Sequence, residues 1–168
     1  KKSKKKKYLI HLSSCAVYGS YFHLKNFIIS EKTKPDPISK YAKTKLLGEL
    51  IIRNNNNKNL NYTIIRPSQV VGINMDALGF INLSKFVRRK LFVYVSTIKA
   101  VRNYVNCDDL TTLIYRICKT KKIKNNILII SRYSKLQNII KIIEKNHQIN
   151  NFFNLIVPKF CLIFFVNL

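Results

Sequence analysis

The chain has 168 residues, 47% of them hydrophobic and 11% aromatic, enough to bury a core and too apolar for a disordered polymer. Its 31 Lys and Arg against 7 Asp and Glu give a formal net charge of +24, which draws polyanions in general. The basic residues are spread along the whole sequence, with residues 1–7 as the one real cluster, so they read as solvated surface and exclude a dedicated, sequence-specific nucleic-acid reader.

In chain order, residues 8–12 form a short apolar run ending in Ser13-Ser14, a buried strand reaching a surface edge. Pro35 and Pro37 precede an apolar-periodic stretch for which Ser39 is the expected N-cap, with Tyr41, Ala42, Lys45, Leu46, Glu49 and Ile52 at helical spacing. The asparagines at 54–57 end that helix. Residues 62–65 are the next strand, closed by Arg66-Pro67, where the proline is expected to stop the ladder. A short helix over 81–89 and short strands at 92–95 and 103–105 follow. Asp108 or Asp109 is expected to cap a helix running to about residue 119, a negative charge at its positive end. Residues 127–130 make a further strand and 136–144 a further helix. Strands alternating with helices predict an α/β fold with a mostly parallel sheet.

The cysteines, Cys15, Cys107, Cys118 and Cys161, form no CxxC pair, and with His11, His23 and His147 they offer no zinc-ligand spacing. The expectation is a reducing compartment, the cytoplasm, and no metal. The apolar tail, residues 152–168, is interrupted by Asn154, Pro158, Lys159 and Asn167. It is expected to be a core helix rather than a membrane span. The chain opens on Lys1, and Met75 is its one methionine, so it is expected to begin inside a longer or trimmed polypeptide.

The chemistry is concentrated in Tyr41-Ala-Lys-Thr-Lys45. Four residues on a helix advance the chain about 6 Å and return to the same face. The phenol and the ammonium are therefore neighbours, and a nearby cation favours the phenolate, whose ordinary pKa is about 10. Such a tyrosine serves as a general base. The spacing alone is cheap, since Tyr21 and Lys25, and Tyr115 and Lys119, repeat it. Context separates them. Ser13-Ser-Cys-Ala-Val-Tyr-Gly19 stands upstream at a strand end, and Ile29-Ser-Glu31 and Pro37-Ile-Ser-Lys-Tyr-Ala-Lys-Thr-Lys-Leu-Leu-Gly-Glu49 follow. Ile64-Ile-Arg-Pro-Ser-Gln-Val-Val-Gly72 and Arg102-Asn-Tyr-Val-Asn-Cys-Asp-Asp-Leu110 come later.

This ordered set resembles the extended short-chain dehydrogenase/reductase family in its nucleotide-sugar epimerase/dehydratase branch. The similarity runs from about residue 8 to 117, and more weakly to 158. It implies the rear half of a Rossmann-like, doubly wound parallel sheet with a small substrate-binding α/β portion. Residues 1–72 would carry the catalytic part of the NAD-binding domain. Residues 73–168 would form the substrate-binding portion, interleaved with the last Rossmann elements.

The resemblance also implies roles. Ser14 matches the serine that hydrogen-bonds the reacting sugar hydroxyl, and Tyr41 the base that takes its proton as hydride passes to NAD. Lys45 matches the lysine that lowers the tyrosine pKa and binds the nicotinamide ribose. Ser13, Pro67 and Val70 fall on the cofactor side. Arg102 matches an arginine that clamps the substrate diphosphate, a task suited to its forked, permanent charge. The implied cofactor is NAD rather than NADP, the partner a nucleotide-sugar, and a homodimer would pair through the YxxxK helix. The segment 74–86 would help select the sugar.

Two departures qualify this. Dehydratases of the branch carry an acidic pair just after the catalytic Ser or Thr, where this chain has Cys15 and Ala16. That argues against elimination of water and leaves epimerisation, with C4 the expected site, or simple oxidation and reduction. No GxGxxG or GxxGxxG occurs, and Gly19, Gly48, Gly72 and Gly79 are too dispersed to make a phosphate loop. The chain by itself is therefore expected to be inactive. The alternatives are a basic binder of nucleic acid or anionic surfaces and a decayed gene product.

Overall fold

The computed structural model describes residues 6–24, 27–55, 59–73, 78–149 and 155–158. The elements in chain order are β1 (Lys7–Leu12), a 3-10 segment (Cys15–His23), α1 (Lys40–Arg53), β2 (Leu60–Pro67), β3 (Gln69–Val71), α2 (Leu78–Arg88), β4 (Tyr94–Val95), β5 (Val101–Asn106), α3 (Cys107–Thr120), β6 (Asn126–Ile130), β7 (Arg132–Lys135), α4 (Leu136–Asn146) and β8 (Ile156–Val157). Two compact units result. The first comprises Lys1–Gly72 and Val105–Arg132, the second Ile73–Tyr104 and Tyr133–Leu168.

The first unit is built on a parallel sheet in the order β1-β2-β6. Leu12 pairs with Ile65, and Ile65 in turn with Leu128. Strand alternation gives the sheet two different faces. Tyr8, Ile10, Ile65, Leu128 and Ile130 share one face with Val105 and with Leu110 and Ile117 of α3 in an aliphatic cluster. Even the polar groups on this face are paired, Thr63 Oγ1 donating to the Ile123 carbonyl at 2.8 Å. The opposite face meets α1, where the His11 ring lies against Gly48 and Ser13 and Arg66 reach Glu49.

Ser39 caps α1 as its sequence position predicts, its hydroxyl accepting from Ala42 N at 3.1 Å. The cap of α3 differs from expectation. Asn106, in extended conformation, accepts from Asp108 N at 3.0 Å, so Asp108 and Asp109 fall in the first turn, where their charge meets the positive end of the helix. Strand β2 runs two residues further at each end than the expected 62–65: Pro67 remains in register with Ile130, and the next amide, that of Ser68, donates to the Ile130 carbonyl at 2.9 Å. A proline is tolerated at the last ladder position because only its missing N–H interrupts the pattern.

The second unit has a core of Val87 from α2, Tyr94, and Leu136, Ile139, Ile140 and Ile143 from α4. The α4 residues recur at helical spacing on one face. Strand β4 pairs in parallel with β8. This overturns the expected tail helix at residues 156–157. The β-branched Ile156 and Val157 take up a strand because Tyr94 N donates to the Leu155 carbonyl and Ser96 N to that of Val157, at 2.8 and 2.9 Å. The rest of that tail, from residue 159 on, and residues 150–154 lie outside the described residues. The segment expected to help select the sugar is helical from Leu78 as part of α2. Among the described residues no helix is long and apolar enough to cross a membrane.

Candidate active site

Helix α1 presents Tyr41, Lys45 and Glu49 at intervals of four, hence on one face. That face meets the C-terminal end of β1. The Lys45 ammonium donates to the Leu12 carbonyl at 3.0 Å and lies 5.7 Å from the Tyr41 ring centroid. The Tyr41 side chain is exposed. The pair Tyr115 and Lys119 has the same spacing, and Tyr115 is about as exposed as Tyr41; what sets the first pair apart is the bond of Lys45 to the Leu12 carbonyl. A lysine anchored by one of its three donors keeps two for a ligand.

Two residues beyond Leu12, Ser14 caps the 3-10 segment, its hydroxyl accepting from Ala16 N at 3.1 Å. That bond fixes the side chain as an acceptor and leaves its O–H proton to donate elsewhere. Ser13 is buried, with its hydroxyl donating to Glu49 and its amide to the Ile65 carbonyl at 2.8 Å. Both side-chain and backbone donors of Ser13 thus serve the scaffold. Pro67 is buried at the end of β2 and Val70 packs on the aliphatic cluster. Arg102 belongs to the second unit, is exposed, and contacts its own neighbour, the Val101 carbonyl, at 3.4 Å.

Beneath this site lies a network of residues that carry no role in the resemblance. Glu49 and Arg66 are 0% and 1% exposed, with a salt bridge of 2.5 Å between them. Arg66 Nε also reaches Glu49 Oε1 at 2.9 Å, making a forked contact. The third arginine nitrogen, Nη1, donates to the Tyr18 hydroxyl, which itself donates to the Ser30 carbonyl at 3.1 Å. Burial works against the arginine's charge, but Glu49 more than offsets it and holds the guanidinium above its ordinary pKa. Burial likewise raises the Tyr18 phenol, against the pull of Arg66. The network joins α1, β2 and the Ser13–Tyr18 turn, so it fixes the helix bearing Tyr41 and Lys45 against the strand end bearing Ser14. The signal was present in the sequence: charged residues inside an apolar strand run and on the inward face of a helix are buried only when paired.

Cys15 donates to the Arg66 carbonyl at 3.2 Å, and burial pushes its thiol up to about 11, only partly countered by Arg66. It is a poor proton donor near neutrality. His11 is pushed down, first by burial and then by Lys45, with Glu49 opposing, and its Nε2 is buried without a partner. The Ser68 hydroxyl, one residue past Pro67, is also buried without a partner.

Comparison with known proteins finds relatives of the same fold. GDP-6-deoxy-D-talose 4-dehydrogenase of Aggregatibacter actinomycetemcomitans is 27% identical over 120 residues, which cover 70% of this chain and 39% of that protein. UDP-glucuronic acid 4-epimerase from Bacillus cereus, solved in complex with NAD, is similar with a TM-score of 0.73 at 24% identity, over 90% of this chain and 50% of that one. UDP-glucose 4-epimerase from Thermotoga maritima, solved with UDP-glucose, gives 0.67 at 22% identity over 90% and 50%. The chain thus spans about half the length of the solved structures it matches and less of the curated relative. The family described as NAD dependent epimerase/dehydratase matches residues 1–130, which include the residues of the candidate site described above, and the chain belongs to that family.

Proposed function

We propose that this chain supplies the catalytic half of an NAD-dependent nucleotide-sugar epimerase acting at a ring carbon, C4 by analogy with the 4-epimerases and 4-dehydrogenase it resembles. The observation that carries the reading is the Tyr41–Lys45 pair, held by Lys45 at the end of the strand that leads into Ser14. Bound NAD would supply the acceptor for hydride from the sugar carbon and return it to the opposite face. Tyr41 takes the proton of the sugar hydroxyl as the carbonyl forms and gives it back on reduction. Lys45 holds its phenolate and, with two free donors, fits a ribose diol. Ser14 donates its remaining proton to the reacting oxygen. The orphan Ser68 hydroxyl beside Pro67 offers a donor where the cofactor is expected, which supports the fit. Arg102, exposed and without an ion pair among the described residues, suits a diphosphate.

Elimination of water is disfavoured because Cys15 stands where an acid is needed and its thiol is held up to about 11. A second reading, a one-way dehydrogenase or reductase with the same residues, draws on the talose 4-dehydrogenase relative; tightly retained NAD after purification favours the epimerase. Exposed Leu47, Leu50 and Ile51 on α1 support pairing of two copies through that helix, and the described thiols, Cys15, Cys107 and Cys118, are free, which suits the cytoplasm. In the complete polypeptide, Tyr41→Phe should lower turnover of a UDP- or GDP-sugar by about 100-fold or more while NAD remains bound. Unchanged turnover in that variant defeats the assignment.

A further inference from the structure

We propose that Glu31 is a positioning residue: its carboxylate moors the connection between the 3-10 segment and α1 to the outer edge of β6, and so sets the entry of the helix that carries Tyr41. The block Ile29-Ser-Glu31 has no part in the catalytic arrangement. Strand β6 ends the parallel sheet, whose order is β1-β2-β6. Its Ile130 carbonyl accepts from Ser68 N at the end of β2. Ile130 and, by alternation, Leu128 therefore face β2, while Ile127 and Ile129 face outward. Both outward amides are taken by side chains. Ile127 N donates to Asn126 Oδ1 at 2.9 Å, and Ile129 N to Glu31 Oε1 at 3.0 Å across 98 residues of sequence. The first is a bond between neighbours, whereas the second brings a distant segment onto the strand. Edge donors left unpaired would invite another strand.

The bond matters because apolar burial does little to fix the connection, residues 27–39. Its Ile28 and Ile38 are 87% and 60% exposed, so polar bonds hold it in place. Thr33 N donates to the Ser30 carbonyl at 3.0 Å and closes a turn around Glu31. The same carbonyl accepts from the buried Tyr18 hydroxyl at 3.1 Å. Asp36 N donates to the Val17 carbonyl at 2.8 Å, and Ser20 N to that of Asp36 at 3.2 Å. These bonds return the connection to the 3-10 segment it leaves, whereas Glu31 carries it across to the sheet. The turn is thus held on one side by Tyr18, which Arg66 and Glu49 join to α1, and on the other by β6. Ser39, the cap of α1, follows two residues before Tyr41. The Ile129 amide, and after it the amide of Glu31 itself, hold the carboxyl below its ordinary range; burial opposes them and Arg66 adds to them. Glu31 therefore meets the amide ionised near neutrality, which strengthens the bond.

The test compares Glu31→Ala with Glu31→Gln, which keeps an oxygen for the Ile129 amide, in the complete polypeptide. Glu31 is exposed, so neither change removes atoms from a core. Hydrogen exchange at the Ile129 amide is read against Leu128 of the same strand. The ratio should rise about 10-fold in Glu31→Ala and no more than about 3-fold in Glu31→Gln. With a UDP- or GDP-sugar, kcat should fall about 10-fold in Glu31→Ala while KM and bound NAD are unchanged. It should return to within about 3-fold of the native value in Glu31→Gln. Unchanged Ile129 exchange in Glu31→Ala, or equal acceleration at Leu128, overturns the mooring. Native kcat beside accelerated exchange, or kcat reduced equally in both variants, overturns the positioning role. The kinetic arm rests on Tyr41 as the base, and the exchange arm does not. If Tyr41→Phe keeps its turnover, the positioning role falls with the catalytic reading, and Ile129 exchange alone decides whether Glu31 moors the connection.

Discussion

The two faces of the β1-β2-β6 sheet solve the same packing problem with opposite chemistry. Against α3 the sheet buries Ile65, Val105, Leu110 and Ile117, side chains whose attraction is additive and indifferent to direction. Against α1 it buries a carboxylate, a guanidinium, a phenol and a hydroxyl bonded to one another. Aliphatic contact tolerates small shifts, whereas a forked Arg–Glu contact has one geometry. The face that must hold Tyr41, Lys45 and Ser14 in fixed relation is the one built from directional bonds.

The comparison breaks most sharply at Glu49. Glu49→Ala leaves the Arg66 charge buried and unpaired, and should cost about 3–5 kcal/mol in denaturant unfolding. Replacing both partners, Glu49→Leu with Arg66→Met, should recover most of that loss, because an apolar pair needs no desolvation of charge. If the double variant is as stable as the native chain but the complete protein loses turnover, the network serves to position the site rather than to stabilise it. On the other face, Ile117→Ala should cost about 2–4 kcal/mol from lost transfer energy and the cavity left behind, with no dependence on its partners' charge. A similar rescue by a second mutation there would erase the distinction drawn between the faces.

How much of this was legible follows the same division. The strands were read from apolar runs only in part: Ile64-Ile65 is buried, whereas residues 127–130 are half-buried and Leu9 and Leu12, expected in a buried strand, are exposed because the edge of β1 beside them is unpaired among the described residues. The cap at Ser39 and the shared face of Tyr41 and Lys45 followed from local spacing. Glu49 and Arg66 were visible as letters within matching blocks, but their partnership spans 17 residues and depends on which way β2 presents Arg66, which alternation alone does not decide until the sheet register is known. Asn106 was passed over as a cap because two aspartates stood next to it. The small β4-β8 pairing was illegible for a related reason: two-residue strands carry no periodicity, and Ile156-Val157 sat in an apolar tail that suited a helix equally well.

Acid sharpens the comparison at smaller scale. His11 lies on the α1 face with its pKa lowered from 6.5 by burial and by Lys45. The folded state therefore disfavours the proton that the unfolded chain accepts. Stability is unaffected above about pH 6.5 and falls as the pH drops from there through the folded-state value. Thermal unfolding followed between neutral and mildly acidic pH should show this loss, and His11→Gln should remove it. A loss that persists in His11→Gln would have to be assigned to Glu31, whose carboxyl the Ile129 amide holds below its ordinary range.

The smallest effect tests whether the packing at that histidine is as tight as the geometry implies. A Cβ added at Gly48 would stand 3.2 Å from the His11 ring carbon and 3.3 Å from Nε2, closer than ordinary van der Waals contact. Gly→Ala inside a helix is by itself worth about 1 kcal/mol. The two terms oppose each other, so Gly48→Ala should change stability by no more than about 0.5 kcal/mol in the native background. In a His11→Ala background the ring is gone and only the helix term remains, so the same substitution should stabilise by about 1 kcal/mol. The coupling between the two positions, read from a double-mutant cycle, is then the cost of the close approach. Equal effects in both backgrounds would mean that α1 can shift away from β1 without penalty, and the α1 face would then be no more rigidly specified than the aliphatic face behind it.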